Sequence, residues 1–92
     1  MFVLVAYDVS DTNRRNKVAK ILAGYGERVN LSVFECEFRK SNTFQAMKQE
    51  IRKAIKPKED HIRYYPICKE CRGKISVQGY GKVTEEEVVR FA

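Results

Sequence analysis

Tyr7-Asp8-Val9-Ser10-Asp11, with Arg14, Arg15 and Lys17 close behind, is the stretch of this chain best equipped for chemistry. Asp8 closes an apolar run and the residues after it open a helix, so its carboxylate is expected at the carboxyl end of a strand. Open α/β sheets place their ligands at strand ends of that kind. A hard cation such as Mg²⁺, or Mn²⁺ in its place, takes carboxylate and water oxygens and often keeps several waters. One Asp per chain suffices if a two-fold axis brings two copies together. Such a cation activates water and neutralises phosphate charge in hydrolysis. Arg14 and Arg15 are suited to hold the phosphate, because a guanidinium meets it with paired N–H donors. Asp11 is better placed to cap the helix and stays outside the catalytic set.

Three other groups are weaker. His61 is the only histidine, and a lone His ahead of a strand reads as a solvated or hydrogen-bonded side chain rather than a general base. Cys68-Lys69-Glu70-Cys71 has the spacing of half a zinc site. No second C-x₂-C completes it, so buried thiols or an occasional disulfide fit better. Tyr64 and Tyr65 invite comparison with base-stacking sheets, but the glycine-aromatic run of RNA-recognition domains is absent and both read as core.

These residues need elements to hold them. Residues 2 to 9 are β-branched and aromatic and predict a first strand. Val3, Val5, Tyr7 and Val9 share one face; Phe2, Leu4, Ala6 and Asp8 share the other. Both faces are apolar up to Asp8, which is the pattern of a strand covered on both sides. In so small a chain, helices supply one cover and a partner subunit is the candidate for the other. Ser10-Asp11-Thr12-Asn13 predicts a helix start, Val18, Ile21, Leu22 and Tyr25 its inner stripe, and Gly24 and Gly26 its end. Arg14, one turn before Val18, is expected near the end of the first strand.

Residues 27 to 39 read as strand again, in one long piece or two short ones. Ser41-Asn42-Thr43 caps a second helix with Phe44, Met47, Ile51 and Ile55 inward and Lys48, Arg52, Lys53 and Lys56 outward. Ile62 to Ile67 is a third strand with Pro66 at an edge or bulge. Cys68 to Gly73 is a turn, and Lys74 to Gly81 a further strand. Lys82 to Ala92 turns acidic and then apolar.

The chain has 92 residues, 18 Lys and Arg against 12 Asp and Glu, and a formal net charge of +6. That length holds one domain and buries only about 60–65% of its unfolded surface, so self-association is expected. The charge favours polyanions, nucleic acid first. The apolar opening run is too short to span a bilayer and lacks a basic stretch before it, which predicts neither a signal peptide nor a membrane partner. Three cysteines, an odd count, suit a reducing cytoplasm.

Taken in order, three pieces resemble a known family. They are the strand ending Tyr7-Asp8-Val9-Ser10-Asp11 with Arg15, Lys17, Val18 and Ala19; Tyr25-Gly26-Glu27-Arg28-Val29-Asn30-Leu31-Ser32-Val33-Phe34-Glu35-Cys36; and Ile62-Arg63-Tyr64-Tyr65-Pro66-Ile67-Cys68. They look like CRISPR-associated protein two, the small subunit of the spacer-acquisition machinery, over about Phe2 to Gly81. The Ser-Val-Phe-Glu run is the most specific piece. The Tyr-Asp strand end is shared with a related toxin ribonuclease family, whose fit to the other two pieces is poorer.

The resemblance implies an α+β, ferredoxin-like βαββαβ fold over 1–81, with two helices on one face of an antiparallel sheet. It implies a homodimer packed through the open sheet faces, with residues 82–92 added as a strand to the partner's sheet. Family members are described as metal-dependent endonucleases on RNA or DNA, and their metal-binding aspartate falls on Asp8. Tyr7, Arg15, Arg28 and Phe34 fall on positions implicated around that site, with Ser10 beside them. In the acquisition complex such a dimer bridges two dimers of the integrase subunit, protein one, and its basic side chains grip the DNA backbone. Arg14, Arg15 and Lys17 are the candidates for that contact, in a catalytic or a purely binding subunit. Asn30 departs from the glutamine often found there, Lys17 replaces an arginine of some members, and the two-cysteine turn is not shared by all.

Overall fold

The computed structural model describes residues 1–84. Its elements run β1 (Phe2–Asp8), α1 (Thr12–Ala23), β2 (Gly26–Asn30), β3 (Val33–Glu37), α2 (Ser41–Ala54), β4 (His61–Ile67) and the short α3 (Lys69–Arg72). The four strands form one antiparallel sheet in the order β2-β3-β1-β4. That order, with α1 and α2 as the crossovers, is the ferredoxin-like arrangement.

The alternation in β1 sets the layers. Val3, Val5, Tyr7 and Val9 are buried, and they share their core with Phe34, Cys36 and Phe38 from β3 and its end. Val18 and Leu22 of α1 and Phe44, Met47 and Ile51 of α2 cover them, with Ile21, Tyr25, Ile55 and Tyr64 packed around the rim. Each fully buried aliphatic side chain contributes roughly 1.5–3 kcal/mol. Phe38 stacks between Tyr25 and Phe44, with ring centroids 6.0 and 5.1 Å away.

Among the described residues, neither α1 nor α2 covers the other face. Phe2, Leu4, Ala6 and Asp8 share it with Glu37, Glu35 and Val33 of β3 and with Ile67, Tyr65, Arg63 and His61 of β4, as their direct pairing requires. Leu4, Ala6 and Val33 remain half-buried, and Tyr65 is exposed. Phe2 is covered because the Arg72 guanidinium lies 4.1 Å from its ring centroid and also pairs with Glu37.

Several boundaries differ from the sequence expectations. Of the two forms left open for the 27–39 stretch, the structure has two short strands joined at Leu31-Ser32, where the Leu31 amide donates to Asn30 Oδ1 at 2.7 Å. Lys40, not Ser41, is the N-cap of α2 and makes no side-chain cap bond. The predicted strand over 74–81 does not form among the described residues. Gly79 and Gly81 adopt φ of 96° and 102°, which breaks an extended run, and the segment lies beside β2 without joining its ladder. It returns to the sheet at Thr84, whose amide donates to the buried Glu35 carboxylate at 2.9 Å. Residues 82–84 are not strand, and 85–92, where most of the expected partner-docking strand falls, lie outside the described residues.

α1 stops at Ala23 with Gly24 as its C-cap, whereas Gly26 opens β2. A Cβ at Gly26 would fall 2.2 Å from the Glu35 carbonyl oxygen and 2.6 Å from Cys36 Sγ. Only glycine lets β2 approach β3 there. Gly26→Ala should cost about 1–3 kcal/mol, the usual scale of overpacking, read as a lower urea midpoint. An unchanged midpoint would show that the hairpin gives way without penalty.

Candidate functional site

Asp8 is the last residue of β1 and lies exposed on the open face. Its carboxylate makes no hydrogen bond or ion pair within the described residues. Directly across the β1–β4 ladder stands His61. Arg63, two residues along β4, donates from Nε to His61 Nε2 at 2.7 Å and from Nη1 to the Tyr65 hydroxyl at 3.2 Å. The ladder places Asp8, His61, Arg63 and Tyr65 on one face. Sequence reasoning set His61 aside, because only the strand register brings it to Asp8.

Tyr7, Arg28 and Phe34 form a second group on the helix side of the same strand end. Arg28 Nη2 donates to the Tyr7 hydroxyl at 3.1 Å, and that hydroxyl donates to the Leu31 carbonyl at 3.2 Å. The Arg28 guanidinium stands 5.3 Å from the centre of the Phe34 ring. This group fixes the β2–β3 turn beside Asp8, and the Tyr7 amide also donates to the Ser32 carbonyl.

The first turns of α1 carry the other cations. Asp11 caps α1 by accepting from the Arg14 amide at 2.9 Å. Arg15 Nη1 donates to the Val9 and Ser10 carbonyls, both at 3.2 Å, and Nη2 to the Thr12 hydroxyl at 3.3 Å, so it braces the loop that follows Asp8. Ser10 is exposed within that loop. Lys17 is exposed and lines a groove between α1 and α2 with Lys20, Lys53 and Glu50.

Arg14 reaches the expected end of the sheet but is taken up by a partner that the sequence did not reveal. Its Nε and Nη2 donate to the two oxygens of Asp60 at 2.7 and 3.1 Å, and Asp60 also accepts the Lys56 amide at 2.8 Å. The Asp60 side chain is fully buried. Its carboxyl is held below the ordinary range by the Arg14 guanidinium first and the Lys56 amide second. The pair ties α1 to the loop that feeds β4.

A divalent cation with several waters needs only one or two carboxylates. Asp8 supplies one with its oxygens uncommitted, and among the described residues no three His, Cys, Asp or Glu side chains gather into a ligand set. A single chain therefore fits half of such a site.

Together these features define a small ferredoxin-like subunit with an uncommitted strand-end carboxylate set among basic side chains. The family model described as CRISPR associated protein Cas2 matches residues 1–75, and the chain belongs to that family. The relative named CRISPR-associated endoribonuclease Cas2 1, from Chloroflexus aurantiacus, is 42% identical over 86 residues, covering 92% of this chain and 91% of the relative. The crystal structure of Streptococcus pyogenes Cas2 at pH 6.5 superposes with a TM-score of 0.75 at 36% identity, covering 86% of this chain and 100% of that one. A chain of a partial Cas6-RT-Cas1–Cas2 complex superposes with a TM-score of 0.73 at 29% identity, covering 83% and 88%. Among the described residues, no helix is long and apolar enough to cross a membrane.

A carboxylate with a folded pKa below its unfolded value adds stability that is fully present above the unfolded value and lost as pH falls through the folded one. Arg14→Ala should therefore lower the melting temperature at pH 7. The deficit should narrow as acid below 3.8, the ordinary aspartate value, removes the charge on Asp60. Equal melting temperatures at pH 7 would release Arg14 from this structural role.

Proposed function

We propose that two copies of this chain pair through their open sheet faces and act in the cytoplasm as the small subunit of a spacer-acquisition complex. In that complex the pair joins a Cas1-type integrase and holds nucleic-acid backbone. Asp8 is the centre of Mg²⁺-dependent phosphodiester hydrolysis. The observation that carries this reading is the uncommitted Asp8 carboxylate at the edge of a half-covered apolar face. Membership of the Cas2 family supports it, as do a relative named as an endoribonuclease and a structural neighbour solved in a complex with Cas1.

Asp8 from each copy would supply the carboxylate oxygens for Mg²⁺, or Mn²⁺ in its place. Such an ion, when bound, lowers the pKa of a coordinated water and offsets charge on the phosphate. Arg15 keeps the loop after Asp8 tight through its three hydrogen bonds. Arg28 and Tyr7 hold the neighbouring turn and leave the exposed Arg28 side chain at the rim for phosphate. Lys17 is the cation of the β1–α1 region with the greatest freedom to meet a backbone. Arg14 contributes through Asp60, by fixing the position of α1.

A second reading, a non-catalytic duplex clamp, is favoured by the lysines of the α1–α2 groove, which lie on the helix side rather than on the Asp8 face. Both readings meet in one experiment. Labelled RNA and duplex DNA are incubated with Mg²⁺ or a chelator, with the wild type beside Asp8→Asn. The catalytic reading expects Mg²⁺-dependent cleavage that falls at least about a hundredfold in the variant, the scale of a lost acid–base or charge-holding group. Faint, equal cleavage by both proteins would overturn it and leave the clamp.

The clamp itself is read from salt. Lys17→Glu should reduce the slope of log K against log salt on duplex DNA by about 0.9, one phosphate contact. An unchanged slope would remove Lys17 from the contact.

A further inference from the structure

Cys68 and Cys71 lie just beyond β4 and take no part in the site around Asp8. Both are exposed, against the expectation of buried thiols, whereas Cys36 is in the core. Cys68 is the N-cap of α3, and its Sγ accepts the Cys71 amide at 3.4 Å. The Cys71 amide first and the Cys71 thiol second stabilise the Cys68 thiolate and draw its pKa below the ordinary thiol value. The same contact raises Cys71. Burial in the core pushes the Cys36 thiol up to about 12.

An exposed Cys68 sulfur that accepts the amide of a second exposed cysteine three residues on has the placement of a thiol pair open to disulfide exchange. Zinc is the competing use of two cysteines, but a structural site takes four ligands. Among the described residues no third His, Cys, Asp or Glu joins the pair. Cys36 is buried on the helix side, and His61 is at the opposite end of β4. Among the described residues, the pair lacks the further ligands that zinc needs.

We propose that Cys68 and Cys71 are a reversible dithiol–disulfide pair, with Cys68 as the attacking and Cys71 as the resolving sulfur, exchanging with a small disulfide of the glutathione class. The Cys68 thiolate attacks one sulfur of the oxidant. Its S–S bond breaks, a mixed disulfide forms on Cys68, and the released thiolate takes up the proton that Cys68 lost. The Cys71 thiolate then attacks the Cys68 sulfur, closing the internal bond and expelling the second small thiolate, which takes the proton from Cys71. Two protein thiols are oxidised by two electrons, and one small disulfide is reduced to two thiols.

Arg72, the next residue, ties this turn to the sheet. Its guanidinium covers the Phe2 ring, pairs with Glu37, and donates to the Thr84 carbonyl at 2.6 Å.

The test uses the whole protein equilibrated in mixtures of reduced and oxidised glutathione, then trapped with a maleimide reagent and weighed. The expected result is loss of two additions in one transition, both on the peptide holding Cys68 and Cys71, with Cys36 unreactive throughout. Cys71→Ser should accumulate the mixed disulfide on Cys68, and Cys68→Ser should accumulate far less on Cys71. Thermal melts of both variants establish that they fold. Overturning results are a pair that stays reduced in excess oxidised glutathione, or a folded Cys71→Ser that forms no adduct. Bound zinc in the purified protein that disappears in Cys68→Ser would equally overturn it.

Discussion

β1 hydrogen-bonds to β3 on one side and to β4 on the other and carries apolar side chains on both faces, while α1 and α2 cover only one of them. The covered face takes Val3, Val5, Tyr7 and Val9 to near-complete burial. The open face leaves Leu4 and Ala6 half-buried, with Phe2 shielded by a guanidinium instead of a helix. Among the described residues, neither α1 nor α2 reaches that face. The proposed pairing would cover this face with a second copy, and Asp8 lies on that same face where β1 ends. Packing and chemistry share one strand: odd positions build the core, and even positions carry the face that ends in the carboxylate.

The strand end is held from three directions. Arg15 braces the loop leaving β1, the Tyr7–Arg28–Phe34 group braces the β2–β3 turn, and the Arg14–Asp60 pair braces the loop entering β4. Each uses a basic side chain that a charge count alone would assign to nucleic acid. Three arginines near the site are therefore partly or wholly committed to structure, and the lysines of the two helices carry more of the free positive charge. A guanidinium offers several fixed donors and suits bracing; an ammonium on a flexible stem suits a mobile backbone.

Local pattern carried much of this into the sequence. The two-sided alternation of β1, the Val18–Leu22 and Phe44–Met47–Ile51 stripes, and Asp8 as a strand-end residue all follow from short-range periodicity. Pairings between distant residues did not. Arg14 meets Asp60 across 46 positions, and His61 meets Asp8 only through strand register. Gly26, read as a helix stop, instead admits a close strand contact that only the folded sheet reveals. The alternation of Lys74 to Gly81 resembles a strand, but a strand needs an edge to pair with. Here two glycines at positive φ bend the segment away from the ladder.

The central claim is that the open face is an interface that brings two Asp8 side chains together. Sedimentation equilibrium of the wild type beside Leu4→Glu tests it most directly, because Leu4 lies at the middle of that face and takes no part in the helical core. The account predicts a wild-type mass of two chains, and a folded variant with the mass of one. A wild-type protein that remains a single chain at every concentration, or a variant that pairs as tightly as the wild type, would contradict it.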